Sequence, residues 1–336
     1  MTILEKASKT YNENFPPVTW FERAIFLSWF CAKPTCKFCY MYSIKSQIKN
    51  PKIARRRIES ILAEALITKI CGWEIGFISA GIASFSITEL KEVLDGIFKI
   101  TGKRQWLNLG VLKEEQIKEL LPFIEGVTGT VECVNNRLRN NIVPDKPLDK
   151  IEEMFRIADK YNIKKSITII TGLGETMKDY PTLRNLIKKW GIDRINFYRL
   201  VPHENTPYKR GPRTNYYTQW IARTRIDYPK LIIIAGSWPD KTNEIPLLLK
   251  AGANAITKLP AIKYFGKKPA IEIEEGAKRA GRKFLGTLTK YPDINIDELL
   301  SKIDLSNDLK EKIKKIYLKY YKKLASNSST AASSPS

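Results

Sequence analysis

The feature of this chain that most restricts its fold is a regular alternation of short strand-like and longer helix-like segments. The strand-like runs are rich in β-branched and aromatic residues and lie at Ile25–Phe30, Glu74–Ser79, Trp106–Leu109, Thr130–Val134, Ser166–Thr171, Arg194–Val201, Leu231–Ala235 and Ala255–Lys258. Amphipathic stretches of helical period separate them, among them Ile87–Ile100, Glu114–Glu125, Leu148–Lys160, Tyr180–Trp190, Tyr216–Asp227 and Asn243–Lys250. Repeated β-then-α units predict an α/β fold, a closed (β/α)8 TIM-type barrel with its catalytic groups at the C-terminal ends of the strands.

The two ends of the chain depart from this alternation. Residues 1–18 have no clear period and are predicted to be an N-terminal extension, and residues 19–289 form the predicted barrel. Residues 290–324 carry apolar side chains among lysines at helical spacing, which predicts a C-terminal helical extension. Residues 325–336 are rich in Ser and Ala and cannot form a core, so they are predicted to be a disordered tail.

Three cysteines lie close together after the first strand-like run. Cys31, Cys36 and Cys39 put three thiolate ligands in one loop, and the chain has only one His. Three soft ligands without a fourth predict an iron–sulfur centre with one open position. The alternative is a structural zinc knuckle, which needs a fourth ligand that the neighbourhood does not supply.

The cysteine loop and several later segments resemble the radical S-adenosylmethionine (SAM) superfamily, and within it the biotin-synthase-like enzymes. The segment Cys36-Lys-Phe-Cys39 matches the second half of the superfamily's cysteine motif, whereas four residues instead of the usual three separate Cys31 from Cys36. This Cys-x4-Cys-x2-Cys spacing resembles an archaeal biotin-synthase-like subgroup. Further similar segments follow in the same order as in biotin synthase, at 107–112, 169–176, 205–207, 235–236 and 251–255.

The resemblance implies two cofactors, a [4Fe–4S] cluster and SAM. Cys31, Cys36 and Cys39 would hold the cluster and are the implied catalytic residues. Residues in the cysteine loop and at the matching strand ends are the candidates for SAM contacts: Phe38, Tyr40, Ser79, Ala80, Gly81, Glu132, Thr171, Gly172 and Tyr198. The superfamily usually has a glutamate near the Ser79–Gly81 segment, and this chain lacks it.

The candidates for binding a small-molecule substrate are six inward-facing residues at strand ends and the single histidine. They are Asn108, Thr168, Asn196, Arg199, Ser237 and Lys258, with His203 in the loop after the sixth strand, where an ordinary polar loop contact is its alternative. Arg199 or Lys258 could bind a carboxylate or a phosphate. Each also has an ordinary structural interpretation, because basic residues are common in this chain.

The reaction type depends on cysteines that the chain does not have at the matching positions. Biotin synthase holds a second, sulfur-donating cluster with cysteines on its barrel strands, and the matching positions here are Trp106 and Ser166. Cys71 and Cys133 alone cannot form such a site, and strand alternation predicts that Glu132 and Cys133 point to opposite faces. The leading hypothesis is hydrogen abstraction in cofactor biosynthesis. Sulfur insertion with a partner's help is the alternative.

Composition bounds the location and the partners. Five cysteines with three at metal-ligand spacing do not form a disulfide framework, and no apolar run is long enough to span a membrane, so a cytoplasmic protein is expected. The resemblance implies a reduced ferredoxin or flavodoxin-like electron donor. A net charge of +22 leaves a second hypothesis of another class, a nucleic-acid-binding protein with a structural metal, although the basic residues are dispersed rather than grouped in a stripe.

Overall fold

The strands form one closed barrel in the structure, a computed structural model that describes residues 1–48 and 50–331. The strands are β1 (Val18–Phe26), β2 (Glu74–Ser79), β3 (Gln105–Asn108), β4 (Ile124–Glu132), β5 (Lys164–Thr171), β6 (Arg194–Arg199), β7 (Ile232–Gly236), β8 (Ala255–Thr257) and β9 (Lys283–Leu285). The first eight pair in parallel in sequence order, and β1 pairs with both β2 and β8, which closes the ring. The ninth strand pairs with β1 outside the ring. The prediction of a (β/α)8 TIM-type barrel is confirmed.

Helices cover the outside of the barrel. They are α1 (Ile3–Asn14), α2 (Tyr40–Ser43), α3 (Ile58–Ile70), α4 (Ile87–Thr101), α5 (Glu114–Leu120), α6 (Asn136–Ile142), α7 (Leu148–Lys160), α8 (Tyr180–Trp190), α9 (Thr214–Asp227), α10 (Ile245–Lys250), α11 (Ala261–Tyr264), α12 (Lys268–Arg279), α13 (Ile296–Ser301) and α14 (Asn307–Ala331). The main apolar core lies between the strands and these helices, and a smaller buried cluster lies within the barrel. None of the helices in the described part of the chain is long and apolar enough to cross a membrane.

Two helical segments of the barrel begin with capping boxes. Ser86 caps α4, and its hydroxyl and the Glu89 side chain each accept a hydrogen bond from the other's backbone amide. Thr176 and Asp179 form the same reciprocal pair at the short turn that leads into α8. Such capping boxes satisfy amides that a helix start would otherwise leave unpaired.

The first strand begins earlier than the prediction of Ile25–Phe30. Strand β1 contains Glu22 and Arg23, whose charges hide its pattern in the sequence. Glu22 pairs with Arg194, and Arg23 pairs with Glu64 of α3, so both charges are neutralised in the fold. The chain leaves the barrel after Phe26, which places the start of the cysteine loop at the C-terminal end of β1.

The N-terminal extension is a helix that packs against α9 and α10. It begins with a capping box between Thr2 and Glu5. Tyr11 is buried, and its hydroxyl donates a hydrogen bond to the carbonyl of Val18 at 2.8 Å. The helix contributes few buried residues, which explains why its period is weak in the sequence.

The C-terminal extension consists of α13 and α14, and α14 packs against α3. Ile313, Tyr317 and Leu324 are its buried residues. Helix α14 continues to Ala331, so residues 325–331 of the predicted disordered tail are helical. Residues 332–336 of that predicted tail lie outside the described residues.

Candidate active site

The three cysteines lie in the loop between β1 and α3, at the C-terminal end of the barrel. Cys36 is buried, and Cys31 and Cys39 are partly exposed. The Cys39 amide donates to the Cys36 carbonyl at 2.9 Å, and the Cys39 carbonyl accepts hydrogen bonds from Tyr42 and Ser43 as α2 begins. The amide of Lys37 donates to Ile142 of α6 at 3.0 Å. The loop is therefore held by its own backbone and by the loop that follows β4.

Gly81 allows the turn after β2 to approach the first cysteine closely. A Cβ atom at Gly81 would lie 2.0 Å from the Phe30 carbonyl oxygen and 2.6 Å from the Cys31 Cβ atom. No other residue fits there without moving the cysteine loop. The predicted SAM-contact segment Ser79–Gly81 is thus in contact with the cysteine loop.

Lys146 is a site residue that the sequence analysis missed. Its amine lies 3.5 Å from the Glu132 carboxylate. Burial lowers the pKa of Lys146, but the negative charges of Cys36, Glu132, Cys39 and Cys31 outweigh it, and the pKa is raised. A cation that interacts with all three thiolates offsets their mutual repulsion. Lys146 lies in a loop without a period, and only its place after β4 could have drawn attention to it.

Three cysteine thiols are a donor set that suits an iron–sulfur cluster. In the described part of the chain, no three His, Cys, Asp or Glu side chains are grouped closely enough to hold one metal ion. The three thiols still influence each other, since Cys39 and Cys31 both contribute to the raised pKa of Cys36, after burial as the largest cause. An iron–sulfur cluster is bound by cysteine thiolates, and each iron of a [4Fe–4S] cube takes its own ligand. The three thiols need not converge on one point, and the residues fit such a cluster.

Burial disfavours the ionised form of two of the thiols, Cys36 and Cys39. Burial raises the pKa of Cys36 to about 11 and also raises the pKa of Cys39. Metal binding requires thiolates, so loading the site releases protons.

The strand alternation that predicted opposite faces for Glu132 and Cys133 does not hold in the structure. Glu132 has a left-handed backbone with φ of 64°, and the pairing of β4 with β5 shifts register between Gly129 and Glu132. The alternation is therefore interrupted. Glu132 accepts a hydrogen bond from the Thr168 hydroxyl at 3.0 Å, while Cys133 belongs to the same buried cluster within the barrel as Cys36.

The glycine-rich turn after β5 binds its own glutamate. Gly172 and Gly174 have φ of 100° and 114°, which the turn requires. The Glu175 carboxylate accepts hydrogen bonds from the amides of Gly172 at 2.7 Å and Leu173 at 2.8 Å. Thr171 ends β5 directly before this turn and is fully buried. The turn at the barrel rim is thus held by its own hydrogen bonds.

A cavity of about 1500 Å³ opens beside the cysteine loop and extends over β1 towards α14. Seven of the predicted site residues line it: Phe38, Cys39, Tyr40, Tyr198, Arg199, His203 and Lys258. Ligand cavities usually measure about 300 to 1000 Å³. The cavity therefore has room for more than one small molecule.

The aromatic side of the cavity is continuous. Phe26 and Trp29 stack at 5.1 Å, Trp29 meets Tyr40 edge-on at 5.8 Å, and Tyr40 meets His203 at 5.5 Å. Trp29 and Tyr40 remain 42% and 46% exposed, which is high for such large rings. We call these four residues the aromatic wall.

Several predicted substrate residues are already occupied by protein partners. The guanidinium of Arg199 binds Glu244 and the Pro212 carbonyl, and the Ser237 hydroxyl donates to the same glutamate at 3.0 Å. Asn196 donates to the Ser166 hydroxyl at 2.9 Å, and Asn108 accepts from the Ala80 amide through its carbonyl. The side chains of Arg199, Ser237 and Asn196 thus have protein partners, whereas the Asn108 bond involves only its backbone.

Tyr198 and Lys258 differ from that group. The Tyr198 hydroxyl is buried and has no hydrogen-bond partner within the described residues. The Lys258 amine lies over the Tyr198 ring, 4.4 Å from its centre, and 5.9 Å from the centre of the Phe26 ring. The pKa of Lys258 is lowered, mainly by burial. The pKa of His203 is also lowered, first by burial and then by the positive charge of Lys258.

No family model matches this chain. The uncharacterized protein MJ0597 of Methanocaldococcus jannaschii is 42% identical over 300 residues, which cover 88% of this chain and 82% of that protein. The chain belongs to the MJ0597 family. Biotin synthase of Methanococcus vannielii is 25% identical over 181 residues, 53% of this chain and 54% of that enzyme.

Solved structures share the fold of this MJ0597-family protein. The FeFe-hydrogenase maturase HydG from Carboxydothermus hydrogenoformans covers 98% of this chain with 85% of its own, at 16% identity and a TM-score of 0.71. Methylornithine synthase (PylB) covers 76% of each chain, at 19% identity and a TM-score of 0.65. At these identities the likeness establishes the fold alone.

Proposed function

We propose that this protein is a radical SAM enzyme. A [4Fe–4S] cluster held by Cys31, Cys36 and Cys39 would supply the electron that cleaves SAM reductively, giving a 5′-deoxyadenosyl radical that abstracts hydrogen from a small substrate. The observation that carries the proposal is the place of the three thiols, in the loop after β1 and against the large cavity of a closed β/α barrel. The likeness to biotin synthase, HydG and methylornithine synthase, which are radical SAM enzymes, supports it.

The protein's own residues would serve this chemistry in distinct ways. Lys146 offsets the charge of the thiolates. Gly81 lets the turn after β2 contact the cysteine loop. The backbone carbonyls and amides of this turn would there be available to bind SAM. The aromatic wall lies along the cavity beside Cys39. It would offer a largely apolar surface against which a substrate is oriented, because the protein in such chemistry must hold the substrate and exclude competing reactions.

Hydrogen abstraction is a better fit than sulfur insertion. Trp106 and Ser166 occupy the strand positions where biotin synthase would hold a second cluster, and here the Trp106 ring packs under the Arg194 guanidinium while Ser166 binds Asn196. Cys71 is buried at the end of α3, within the outer core. We therefore propose that the cysteine triplet holds the resident cluster, with a reduced ferredoxin or flavodoxin-like protein as electron donor and a role in cofactor biosynthesis.

The test is anaerobic reconstitution with iron and sulfide, followed by addition of dithionite and SAM. We expect about four irons per chain, an iron–sulfur absorption and EPR spectrum, and release of 5′-deoxyadenosine. Cys36→Ala should lose the spectrum and the product. Cys71→Ala, the matched control with a buried thiol outside the site, should keep both.

Two results would overturn the proposal. One is a wild-type protein that takes up iron and forms no 5′-deoxyadenosine. The other is a Cys36→Ala variant that keeps both the spectrum and the product. A salt-sensitive nucleic-acid complex that survives Cys36→Ala would favour the nucleic-acid hypothesis instead.

A further inference from the structure

Lys258 is unusual among the charged residues that line the cavity. Arg23 and Arg56 both bind the Glu64 carboxylate, at 2.5 Å and 2.6 Å. Arg199 binds Glu244, and Glu22 binds Arg194. The Lys258 amine makes no ion pair or hydrogen bond within the part of the chain that the structure describes. The deeper charges of the cavity thus have protein partners, with this one exception.

The backbone at Lys258 adds a second cost. Its φ is 79°, in the left-handed region that favours glycine, and it lies directly after β8 at the barrel mouth. A lysine there costs conformational energy relative to glycine, and placing an unpaired cation among rings costs hydration energy. Strained and poorly solvated groups gather where a ligand repays the cost.

The surroundings of the amine define what the ligand would look like. Phe26 and Tyr198 present ring faces to it, and Phe26 begins the aromatic wall. The nearest negative groups are Glu132, which is already paired with Lys146, and Cys39, an implied cluster ligand. A ligand that ends at Lys258 therefore meets one free cation and, beyond it, an apolar and aromatic surface.

We infer that Lys258 binds the anionic end of the enzyme's substrate, and that the rest of that substrate is an apolar or aromatic body lying against the aromatic wall. This inference rests on the proposed function, in that the same cavity also takes SAM. The volume of about 1500 Å³ accommodates both molecules. The substrate class is thus an amphiphilic anion, and Lys258 is a specificity residue for it.

The test uses reconstituted protein with SAM present and three probes that share one body: 3-phenylpropanoate, 3-phenylpropanamide and 3-phenylpropylammonium. Calorimetric titration should give an affinity for the carboxylate about tenfold above that for the amide, the size expected of one charge-assisted contact. The ammonium probe should bind most weakly. Inorganic phosphate, which lacks the apolar body, should compete poorly with the carboxylate probe.

Matched variants separate the role of this lysine from general charge. Lys258→Met should abolish the preference for the carboxylate, and Lys258→Arg should retain part of it. Lys263→Met, which removes an exposed cation from the same cavity, should keep the preference. Circular dichroism and the cluster spectrum check that each variant is folded and loaded.

Three outcomes would overturn the inference. Equal binding of the three probes to the wild type is one, and a carboxylate preference that survives Lys258→Met is another. The third is a Lys258→Met variant that loses SAM affinity, since Lys258 would then bind the SAM carboxylate. A wild type that prefers the carboxylate and forms no 5′-deoxyadenosine would leave the anion site standing and refute the proposed function, so the two failures are distinguishable.

Discussion

Two arginines at the N-terminal end of the barrel and one lysine at its C-terminal end differ in their hydrogen-bond partners. At the N-terminal end, Arg225 donates to the carbonyls of Gly252 and Pro229 and to the side chain of Asn254, and Arg282 donates to the carbonyls of Ala253 and Leu249. Both guanidiniums also lie over the Tyr11 ring of α1. At the C-terminal end, Lys258 has ring faces for neighbours and no such partners among the described residues.

This difference separates stability from function within one fold. The arginines at the N-terminal end satisfy backbone carbonyls and tie α1 to the barrel, which stabilises the folded chain. Lys258 at the mouth lowers the stability of the folded chain, because its backbone is in the left-handed region and its amine has no ion-pair or hydrogen-bond partner among the described residues. Barrels of this class carry stability at the N-terminal face and chemistry at the C-terminal face.

The largest effect is expected at the N-terminal end. Arg225→Met should lower the free energy of unfolding by about 3 kcal/mol, because buried carbonyls and the Asn254 side chain lose their donors. Urea unfolding followed by circular dichroism measures it. Lys258→Met should change the same quantity by less than about 0.5 kcal/mol. Similar losses from both variants would contradict the comparison.

An intermediate effect on the free energy of unfolding is expected at Glu64, which lines the cavity and binds Arg23 and Arg56. Burial raises the pKa of Glu64, but the two guanidiniums lower it more, and the pKa lies below its ordinary value of 4.5. The stability from this carboxylate is therefore present above pH 4.5 and is lost as the pH falls through the lower folded value. Glu64→Gln should cost roughly 2 kcal/mol at pH 7.

The pH dependence provides the check on that prediction. Urea midpoints of the wild type and of Glu64→Gln should differ at pH 7 and converge as the pH falls below 4.5. Glu59→Gln, which removes an ion pair at the start of the same helix with the exposed Arg57, should change little at any pH. A Glu64→Gln difference that stays constant with pH would exclude ionisation as its cause.

The smallest effect has the opposite sign. Lys258→Gly should raise the free energy of unfolding by about 1 kcal/mol, because glycine adopts the left-handed backbone without strain. A rise in the urea midpoint, together with loss of the carboxylate preference, would sharpen the contrast between the two ends. Destabilisation by Lys258→Gly would mean that the ring contacts of the lysine outweigh the strain.

The sequence predicted the parts of this molecule that depend on local period. Strand β7 is a nearly continuous apolar run, as expected of a buried parallel strand, and the cysteine spacing is read directly from the chain. Strand β1 was misplaced, because Glu22 and Arg23 are neutralised only by Arg194 and Glu64, which are distant in sequence. Long-range pairs of this kind leave no local signal.

The candidate site was predictable in outline and not in detail. The loops that carry Cys36, His203 and Lys258 could be placed at the mouth because each follows a strand of a closed barrel. The ion pair between Arg199 and Glu244 depends on a side-chain partner that is distant in sequence. The interruption of the strand alternation at Glu132 depends on a backbone angle. Lys146 was missed for the same reason, since its importance comes from charges on other elements.

The part of the cavity lining that α14 contributes is synthesised last. Tyr320 and Lys323 of α14 line the cavity, although they follow the last strand of the barrel by many residues. A ribosome would therefore expose the eight strands and all three thiols before it delivers the segment that encloses the cavity on that side. Until then the thiols would face an open mouth, so the order of synthesis leaves an interval in which metal can enter before the enclosure is complete.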